Sequence, residues 1–240
     1  MSTSAKASPG IFSAIDWASV ATSMHANGYA IIPEVLNGPQ CDQFIAAYDG
    51  PGFRKTVIME RHRFGAGEYK YFDYPLPELV QIVRVEAYSQ LAPIANEWAD
   101  RLNLAVRYPD SFGEFQAACA GAGQAKPTPL ILKYGQGGFN TMHQDLYGEV
   151  YFPIQIAFFL NGPEADYTGG EFVLLEQVPR SQSKVIVLKP CKGDMLIFTT
   201  NFRPVKGSRG YYRVNVRHGV SKIHSGVRHT LGVIFHDALT

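Results

Sequence analysis

Residues 129–160 have the sequence PLILKYGQGGFNTMHQDLYGEVYFPIQIAFFL. The runs at its two ends, PLILKY and YFPIQIAFFL, are rich in branched and aromatic side chains, and Gly, Asn and Asp lie between them. This composition predicts two strands with a polar segment after the first. Five similar runs follow, GGEFVLLE, SKVIVLK, DMLIF, YYRVNV and HTLGVIF. The second half of the chain is therefore predicted to form a sandwich, a barrel or a jelly roll.

The sequence before residue 105 has a different character. Residues 13–27 place apolar side chains at helical spacing and stop at Gly28, a second helix is predicted at 39–48, and a longer one at 79–103 has a kink near Pro93. The strand-like run YAIIPEVL separates the first two helices, and GAGQAKPTP, residues 121–129, predicts a loop.

Composition places the chain among ordinary globular proteins. Of its 240 residues 46% are hydrophobic and 18% are charged, which fits one domain with a substantial core. The N-terminus lacks the pattern of a secretory signal, and no run approaches the roughly 20 apolar residues of a membrane span, so we expect a cytoplasmic protein. The three cysteines have no CxxC spacing, which predicts buried thiols and neither a disulfide framework nor a zinc–thiolate site.

Charge is unevenly distributed along the chain. Between Arg180 and Arg228 there are eleven Lys and Arg against one acid, Asp194, a net charge of +10 that leaves −9 for the remainder. This asymmetry predicts an anionic ligand near the C-terminal half. Solvated strand faces and loop cations are the alternative explanation for most of these residues.

The polar segment after PLILKY contains His143-Gln144-Asp145. Because alternate side chains of an extended backbone share a face, His143 and Asp145 can bind one ion while Gln144 points away. A second histidine would complete a 2-His-1-carboxylate triad, which suits iron(II) and leaves coordination positions open. The H-x-D pattern alone is weak evidence, since it also occurs by chance.

The third ligand must come from one of the other histidines, which are residues 25, 62, 218, 224, 229 and 236. We favour His218, which ends the run YYRVNVRH and precedes Arg228 by ten residues. A buried arginine can hold a carboxylate by donating paired hydrogen bonds to it, and Thr230 lies on the same strand face. A surface cation is the alternative for Arg228. The second acid–histidine pair, His236-Asp237, is predicted to be surface or C-terminal packing.

At this point the sequence resembles the iron(II)/2-oxoglutarate-dependent dioxygenase superfamily, in its prolyl-hydroxylase-like branch. The resemblance is carried by GYAIIPEVLNGPQCDQFIAAY, YGQGGFNTMHQD, YTGGEFVLLE, KGDMLIF and RHGVSKIHSGVRHTLGVIFHD. More narrowly, residues 143–237 are similar to a bacterial oxygenase family linked to damaged DNA. The glycine pair in YTGGEFVLLE matches a tight turn before a core strand.

The resemblance implies an α+β, mainly β fold: a double-stranded β-helix, or cupin-like jelly roll, at residues 106–240 with mostly helical support at 1–105. It implies iron(II) on His143, Asp145 and His218, and 2-oxoglutarate on Arg228, with Tyr134 reaching the co-substrate. A core aromatic is the alternative for Tyr134. This branch often has lysine where Arg228 stands. Dioxygen would be the third reactant.

The expected activity is oxidation, by preference hydroxylation, of a C–H bond in a small anionic or amino-acid-like substrate. Oxidative demethylation of nucleic-acid bases is one alternative, and a non-catalytic cupin-like module that binds a metal or ligand is a second. Two segments that mix aromatic and basic residues, Gly65–Pro75 and Arg203–Arg217, are the candidate substrate surfaces.

Overall fold

The computed structural model describes residues 12–178 and 180–240. Within them the helices are α1 (Trp17–Asn27), α2 (Gly38–Ala47), α3 (Glu78–Arg101), α4 (Phe112–Gly121) and a short 3-10 helix (Met59–His62). The strands are β1 (Tyr29–Ile32), β2 (Phe53–Ile58), β3 (Gly65–Ala66), β4 (Glu68–Phe72), β5 (Leu130–Tyr134), β6 (Phe139–His143), β7 (Ile154–Phe159), β8 (Tyr167–Gly169), β9 (Phe172–Gln177), β10 (Lys184–Leu188), β11 (Met195–Thr199), β12 (Phe202–Gly207), β13 (Gly210–Val220), β14 (Ile223–Gly226) and β15 (Arg228–Val233).

Local sequence sets where the first helix begins and ends. Asp16 precedes α1, and its carboxylate accepts hydrogen bonds from the backbone N–H groups of Ala18 and Ser19. Gly28 closes the helix in the left-handed region, with φ 77°. The helix therefore begins a few residues after the predicted start at 13, because the side chain that satisfies its free N–H groups is Asp16.

Two antiparallel sheets form the body of the protein. The major sheet has the order β1-β11-β7-β15-β5-β4-β2, and the minor sheet has the order β10-β9-β13-β6-β3, with β12 paired to β13. β8 and β14 form a separate two-stranded sheet. Because the last strand, β15, lies between β7 and β5, the centre of the major sheet combines distant parts of the chain.

Strand alternation gives the major sheet two apolar faces. In β7, Ile154, Ile156 and Phe158 belong to the core that packs against α1, α3 and α4, whereas Ala157 and Phe159 belong to the core shared with the minor sheet. Both cores are closed by large aromatic side chains. The sandwich predicted from the strand runs is thus present, and one of its sheets is backed by helices.

The region before residue 105 is more than helical support. It supplies β1, β2 and β4 to the major sheet and β3 to the minor sheet, and α4 lies beyond residue 105 in the part expected to be β. FRKTVI and EYKYF are too polar to stand out as strands in sequence, and they are fixed by pairing with each other and with β5.

Two further predictions concern the cysteines and membrane-spanning segments. Cys41 and Cys119 are buried as predicted, but Cys191 is exposed, so the prediction of three buried thiols is wrong for that residue. Cys191 lies in the tight connection before β11, where its backbone N–H donates to Asp194. None of the described helices is both long enough and apolar enough to cross a membrane.

Candidate functional site

His143, Asp145 and His218 meet at one end of the minor sheet. His143 ends β6 and is the cross-strand partner of His218 in β13, so sheet pairing brings the two imidazoles together. Nε2 of His143 lies 3.5 Å from Oδ1 of Asp145, and Nε2 of His218 lies 3.3 Å from Oδ2. One ligand atom from each residue lies within 4.8 Å of the other two. This spacing is small enough for one ion to contact all three groups.

Gln144 points away from this cluster. Its side-chain amide donates to the backbone carbonyls of Asn201 and Val216 and to the Asn201 side chain. The alternation expected for His-Gln-Asp is therefore present, with two candidate ligands on one side and a structural amide on the other.

Each oxygen of the Asp145 carboxylate accepts a hydrogen bond from a neighbouring side chain. The Tyr147 hydroxyl donates to Oδ1 over 2.8 Å, and the Gln155 amide donates to Oδ2 over 3.0 Å. Nδ1 of His143 lies 2.8 Å from the backbone carbonyl of Thr141, which leaves Nε2 free toward the carboxylate. Such surrounding contacts orient ligands before a metal binds.

Electrostatics keeps the carboxylate ionised. Burial alone would raise the pKa of Asp145, but the charges and hydrogen bonds of His143 and His218 outweigh burial and hold that pKa well below its usual range. Burial lowers the pKa of His218, and neighbouring His143 lowers it further. Burial would lower the pKa of His143, but the Asp145 charge and hydrogen bonds to neighbouring groups together outweigh burial and raise that pKa. The ionised carboxylate and the low pKa of His218 favour binding of a divalent cation.

Arg228 lies at the start of β15 with 1% of its surface exposed. Its guanidinium carbon lies 5.1 Å from the ring centroid of Phe159, 5.7 Å from that of Tyr134 and 6.0 Å from that of Tyr167. Among the described residues it has no carboxylate partner, and its Nε and Nη2 atoms are buried without a hydrogen-bond acceptor. A buried cation with free donors is suited to bind an anion, and the described protein residues do not supply one.

The two other residues expected near a co-substrate surround the same point. Tyr134 is the cross-strand partner of Arg228, and its hydroxyl accepts a hydrogen bond from Asn140 over 3.2 Å. Thr230 is buried two residues after Arg228, and its hydroxyl has no partner among the described side chains and backbone. The free hydroxyl and the free guanidinium nitrogens thus belong to one strand face.

A cavity of about 210 Å³ joins these groups. The triad, Arg228, Thr230 and Tyr134 all contribute to its wall, as do Tyr69 and Phe64 from the N-terminal region. Besides the triad and Arg228, the described wall has no other Asp, Glu, Lys, Arg or His side chain. One end of the cavity therefore offers candidate metal ligands, and another offers a fixed cation.

Several candidates from the sequence lie elsewhere. No residue of the Arg203–Arg217 segment lines the cavity: Arg203 is buried and donates to Glu176, and Arg213 lies over the Phe202 ring. Gly65–Pro75 does contribute, through Tyr69. His236 and Asp237 are buried, so they belong to C-terminal packing and not to the surface.

Sequence reasoning missed Tyr147 and Gln155. Tyr147 could have been found, because it follows Asp145 by two residues and so repeats the alternation that pairs Asp145 with His143. Gln155 is a polar residue inside the apolar run FPIQIAFFL, which is itself a signal of a buried contact. Its partner, however, becomes evident only from the pairing of the sheets.

Comparison with known proteins identifies the family. A family model described as "Oxygenase, catalysing oxidative methylation of damaged DNA", Oxygenase-NA, matches residues 67–238. The chain belongs to the Oxygenase-NA family. Two uncharacterized proteins from Mycobacterium tuberculosis strains CDC 1551 / Oshkosh and ATCC 25618 / H37Rv are each 46% identical to this Oxygenase-NA member over 167 residues, or 70% of this chain and 72% of theirs.

Solved structures show the same fold at low identity. A prolyl-4-hydroxylase from Pseudomonas putida has a TM-score of 0.55 at 14% identity, covering 92% of this chain and 98% of its own. An oxidoreductase of the 2OG-Fe(II) oxygenase family from Burkholderia pseudomallei has a TM-score of 0.54 at 14% identity, covering 94% of each chain. A Trichoplax adhaerens prolyl hydroxylase in complex with a hypoxia-inducible-factor peptide has a TM-score of 0.53 at 15% identity, covering 92% and 89%.

These comparisons confirm the predicted jelly-roll fold of the Oxygenase-NA member. They also confirm that it is an oxidoreductase of an oxygenase family.

Proposed function

We propose that this Oxygenase-NA protein is an iron(II)- and 2-oxoglutarate-dependent dioxygenase that hydroxylates a C–H bond of its substrate. The observation that carries the proposal is the position of Arg228. It is a buried cation, free of protein carboxylates among the described residues, and it lies in the same cavity as the His143–Asp145–His218 cluster. A ligand that chelates a metal at one end and carries a carboxylate at the other matches both features.

The donor set fits iron(II). Two imidazoles and one carboxylate on one side of an ion leave its other positions for a chelating co-substrate and dioxygen. With those reactants bound, iron supplies the oxidising chemistry, and succinate and carbon dioxide are released. The protein would fix the Asp145 carboxylate through Tyr147 and Gln155 and keep the cavity apolar.

The cradle around Arg228 fits the distal carboxylate of 2-oxoglutarate. The free Nε and Nη2 donors and the Thr230 hydroxyl lie on one strand face, and Tyr134 lies opposite Arg228 in β5. Aromatic rings on several sides exclude water, which strengthens a charge-assisted hydrogen bond. Arginine in place of lysine provides a two-pronged contact here.

Two substrate classes fit this cavity. A small anionic or amino-acid-like molecule is compatible with the size of the cavity. The description of the Oxygenase-NA family instead favours a nucleic-acid base, which would enter the cavity from a strand bound outside. A non-catalytic binding module remains the alternative to both, but such a module has no need of a free cation beside open metal positions.

The experiment is to measure succinate formation from 2-oxoglutarate with iron(II) and ascorbate, and then to replace Arg228. In Arg228→Ala we expect the KM for 2-oxoglutarate to rise on the order of a hundredfold, because a desolvated carboxylate loses its partner. Iron affinity should change little, and Arg228→Lys should restore part of the loss.

Arg213→Ala is the matched control, since Arg213 is exposed on β13 and does not line the cavity. A normal KM in Arg228→Ala together with a raised KM in Arg213→Ala would mean that the co-substrate anchor has been misassigned. Absence of succinate with every substrate class tested, with iron bound, would favour the binding module.

A further inference from the structure

The sequence Arg61-His62-Arg63-Phe64 forms an exposed turn at the edge of the cavity, here called the RHRF turn. All four residues are exposed, and they lie between buried Met59 and β3. Phe64 has 44% of its surface exposed and also contributes to the cavity wall. An apolar ring of this size at a cavity mouth is not explained by core packing.

The RHRF turn is held firmly next to the triad. The Phe64 N–H donates to the Met59 carbonyl over 3.1 Å, and the Phe64 carbonyl accepts from the N–H and the hydroxyl of Thr141 over 2.9 and 2.8 Å. The carbonyl of Thr141 in turn contacts Nδ1 of His143. Phe64 is therefore linked to a candidate metal ligand through one intervening residue.

Glycine allows this close approach. Gly65 has φ +141°, and a Cβ atom there would lie 2.2 Å from the Phe139 carbonyl oxygen on β6. No other residue type could bring the turn so near to β6 without moving a backbone. The position of the turn is thus built into the fold.

The side chains of the RHRF turn form a platform of defined chemistry. The rings of His62 and Phe64 stack with centroids 5.3 Å apart and planes inclined by 20°. Arg61 and Arg63 make no ion pair and no side-chain hydrogen bond with any described residue. A flat aromatic surface flanked by two free guanidinium groups suits a planar ring with a neighbouring phosphate.

We propose that the RHRF turn binds the nucleotide unit of the substrate, with a base stacked on Phe64 and phosphate oxygens on Arg61 and Arg63. The inference rests on the proposed function, because the turn borders the same cavity, and it favours the nucleic-acid class of substrate. A single-stranded segment that lies on the turn would place a neighbouring base at the cavity mouth.

A second basic and aromatic surface serves as an internal comparison. The β12–β13 hairpin exposes Lys206, Arg209 and Tyr212, and Tyr212 is 44% exposed, the same fraction as Phe64. None of these residues lines the cavity. General attraction of nucleic acid to basic surfaces would involve both regions, whereas specific recognition would involve the RHRF turn.

The test uses fluorescence anisotropy of a labelled single-stranded oligodeoxynucleotide and, in a parallel arm, calorimetry with a mononucleotide. We expect Phe64→Ala to weaken oligonucleotide binding roughly tenfold or more, since stacking on an aromatic side chain is lost. Arg61→Gln combined with Arg63→Gln should lower the dependence of log Kd on log salt by about 1.4, or about 0.7 for each lost phosphate contact. Tyr212→Ala, and Lys206→Gln combined with Arg209→Gln, are the matched controls.

The proposal would be overturned if the RHRF variants and the hairpin variants weakened oligonucleotide binding equally. It would also be overturned if the wild-type protein bound neither the oligonucleotide nor the mononucleotide. Similar Kd values for mononucleotide and oligonucleotide would identify a free nucleotide as the ligand, and a much lower Kd for the oligonucleotide would identify a strand. Both results support recognition of a nucleotide unit.

The outcome separates this inference from the proposed function. Binding of 2-oxoglutarate, measured by thermal shift with manganese(II), does not require a nucleotide. Co-substrate binding without nucleotide binding would leave the dioxygenase assignment standing and remove the role of the RHRF turn. Nucleotide binding that depends on Phe64, without co-substrate binding, would support the role of the RHRF turn and contradict the dioxygenase assignment.

Discussion

Asp145 is constrained on both of its carboxylate oxygens, and this arrangement has a consequence for metal affinity. One oxygen faces His143 and accepts from Tyr147, and the other faces His218 and accepts from Gln155. Both donors leave the remaining lone pairs available to an ion. A carboxylate fixed in this way loses little freedom when a metal binds, which favours binding.

Removing either donor should therefore weaken metal binding without removing a ligand. We expect Tyr147→Phe and Gln155→Leu each to raise the Kd for iron(II), or for manganese(II) as a stable substitute, by about tenfold or more. The measurement is a metal titration followed by intrinsic fluorescence or calorimetry.

Tyr71→Phe is the control for that experiment, because the Tyr71 ring packs edge-on against Tyr147 but makes no hydrogen bond to Asp145. If all three variants bind metal like the wild type, the carboxylate is oriented by the backbone alone. If Tyr71→Phe has the largest effect, the Tyr71 hydroxyl beside Tyr147 matters more than the two hydrogen bonds to Asp145, because this substitution keeps the ring.

The candidate ligands could be chosen from sequence because their relation is local or short-range. His143 and Asp145 share a face by alternation, and His218 and Arg228 are separated by ten residues at the ends of neighbouring runs. The Gln155–Asp145 contact was not accessible in this way. It depends on β7 of the major sheet facing the minor sheet, a relation that neither local sequence determines.

Among the elements, the turn between β8 and β9 is tightly constrained by two glycines. Gly169 and Gly170 have φ of 73° and 63°, and a Cβ atom on Gly169 would lie 2.3 Å from the Lys222 carbonyl. A Cβ atom on Gly170 would lie 2.2 Å from Ile223 and 3.2 Å from the Arg228 side chain. This turn therefore packs directly against the residue proposed to anchor the co-substrate.

We expect Gly169→Ala to lower the free energy of unfolding by about 1–3 kcal/mol, because a left-handed backbone and a backbone clash act together. Urea denaturation measures the change. Gly162→Ala is the control in the preceding loop, where the nearest atoms to a new Cβ lie at 3.7 Å. Equal stability of the two variants would show that the backbone around Lys222 yields without cost.

Most strands of the second half were predictable, since apolar runs such as QIAFF and MLIFT are flanked by turn residues and each is buried throughout. Strands β2 and β4 were not predictable, because their Arg, Lys and Glu residues obscure the alternation of apolar and polar side chains. These strands are stabilised by long-range pairing with β5. α4 was also missed, since its small and aromatic residues lack a clear helical stripe.

Across the whole molecule, one buried ion pair connects the helical layer to the C-terminal segment. Arg84 on α3 is fully buried and donates to the Asp237 carboxylate over 2.7 Å and to the Phe235 carbonyl over 2.6 Å. Tyr74 completes the network by donating to the other oxygen of Asp237 over 2.8 Å. The charges of Arg84 and Asp237 are therefore paired with each other inside the protein.

Removing one partner of the Arg84–Asp237 ion pair should destabilise the protein. We expect Arg84→Met to lower the free energy of unfolding by about 3–5 kcal/mol, because Asp237 is left buried without its cation. Arg84→Met combined with Asp237→Leu should recover much of that loss. Chemical denaturation of both single variants and the double variant gives the coupling energy. A double variant no more stable than the single ones would mean that the hydrogen bonds, and not the charges, dominate.

The position of β15 in the major sheet affects the order in which the protein can fold during synthesis. β15 joins the half-sheet β1-β11-β7 to the half-sheet β5-β4-β2, yet it is the last described strand to leave the ribosome. At about 5–20 residues per second, synthesis from Phe159 to Arg228 takes roughly 3–14 s. During that interval β7 and β5 present open edges, which invite pairing with other chains and call for protection by chaperones. Arg228 arrives with the joining strand, so the cavity proposed to hold 2-oxoglutarate is complete only after β15 has entered the sheet.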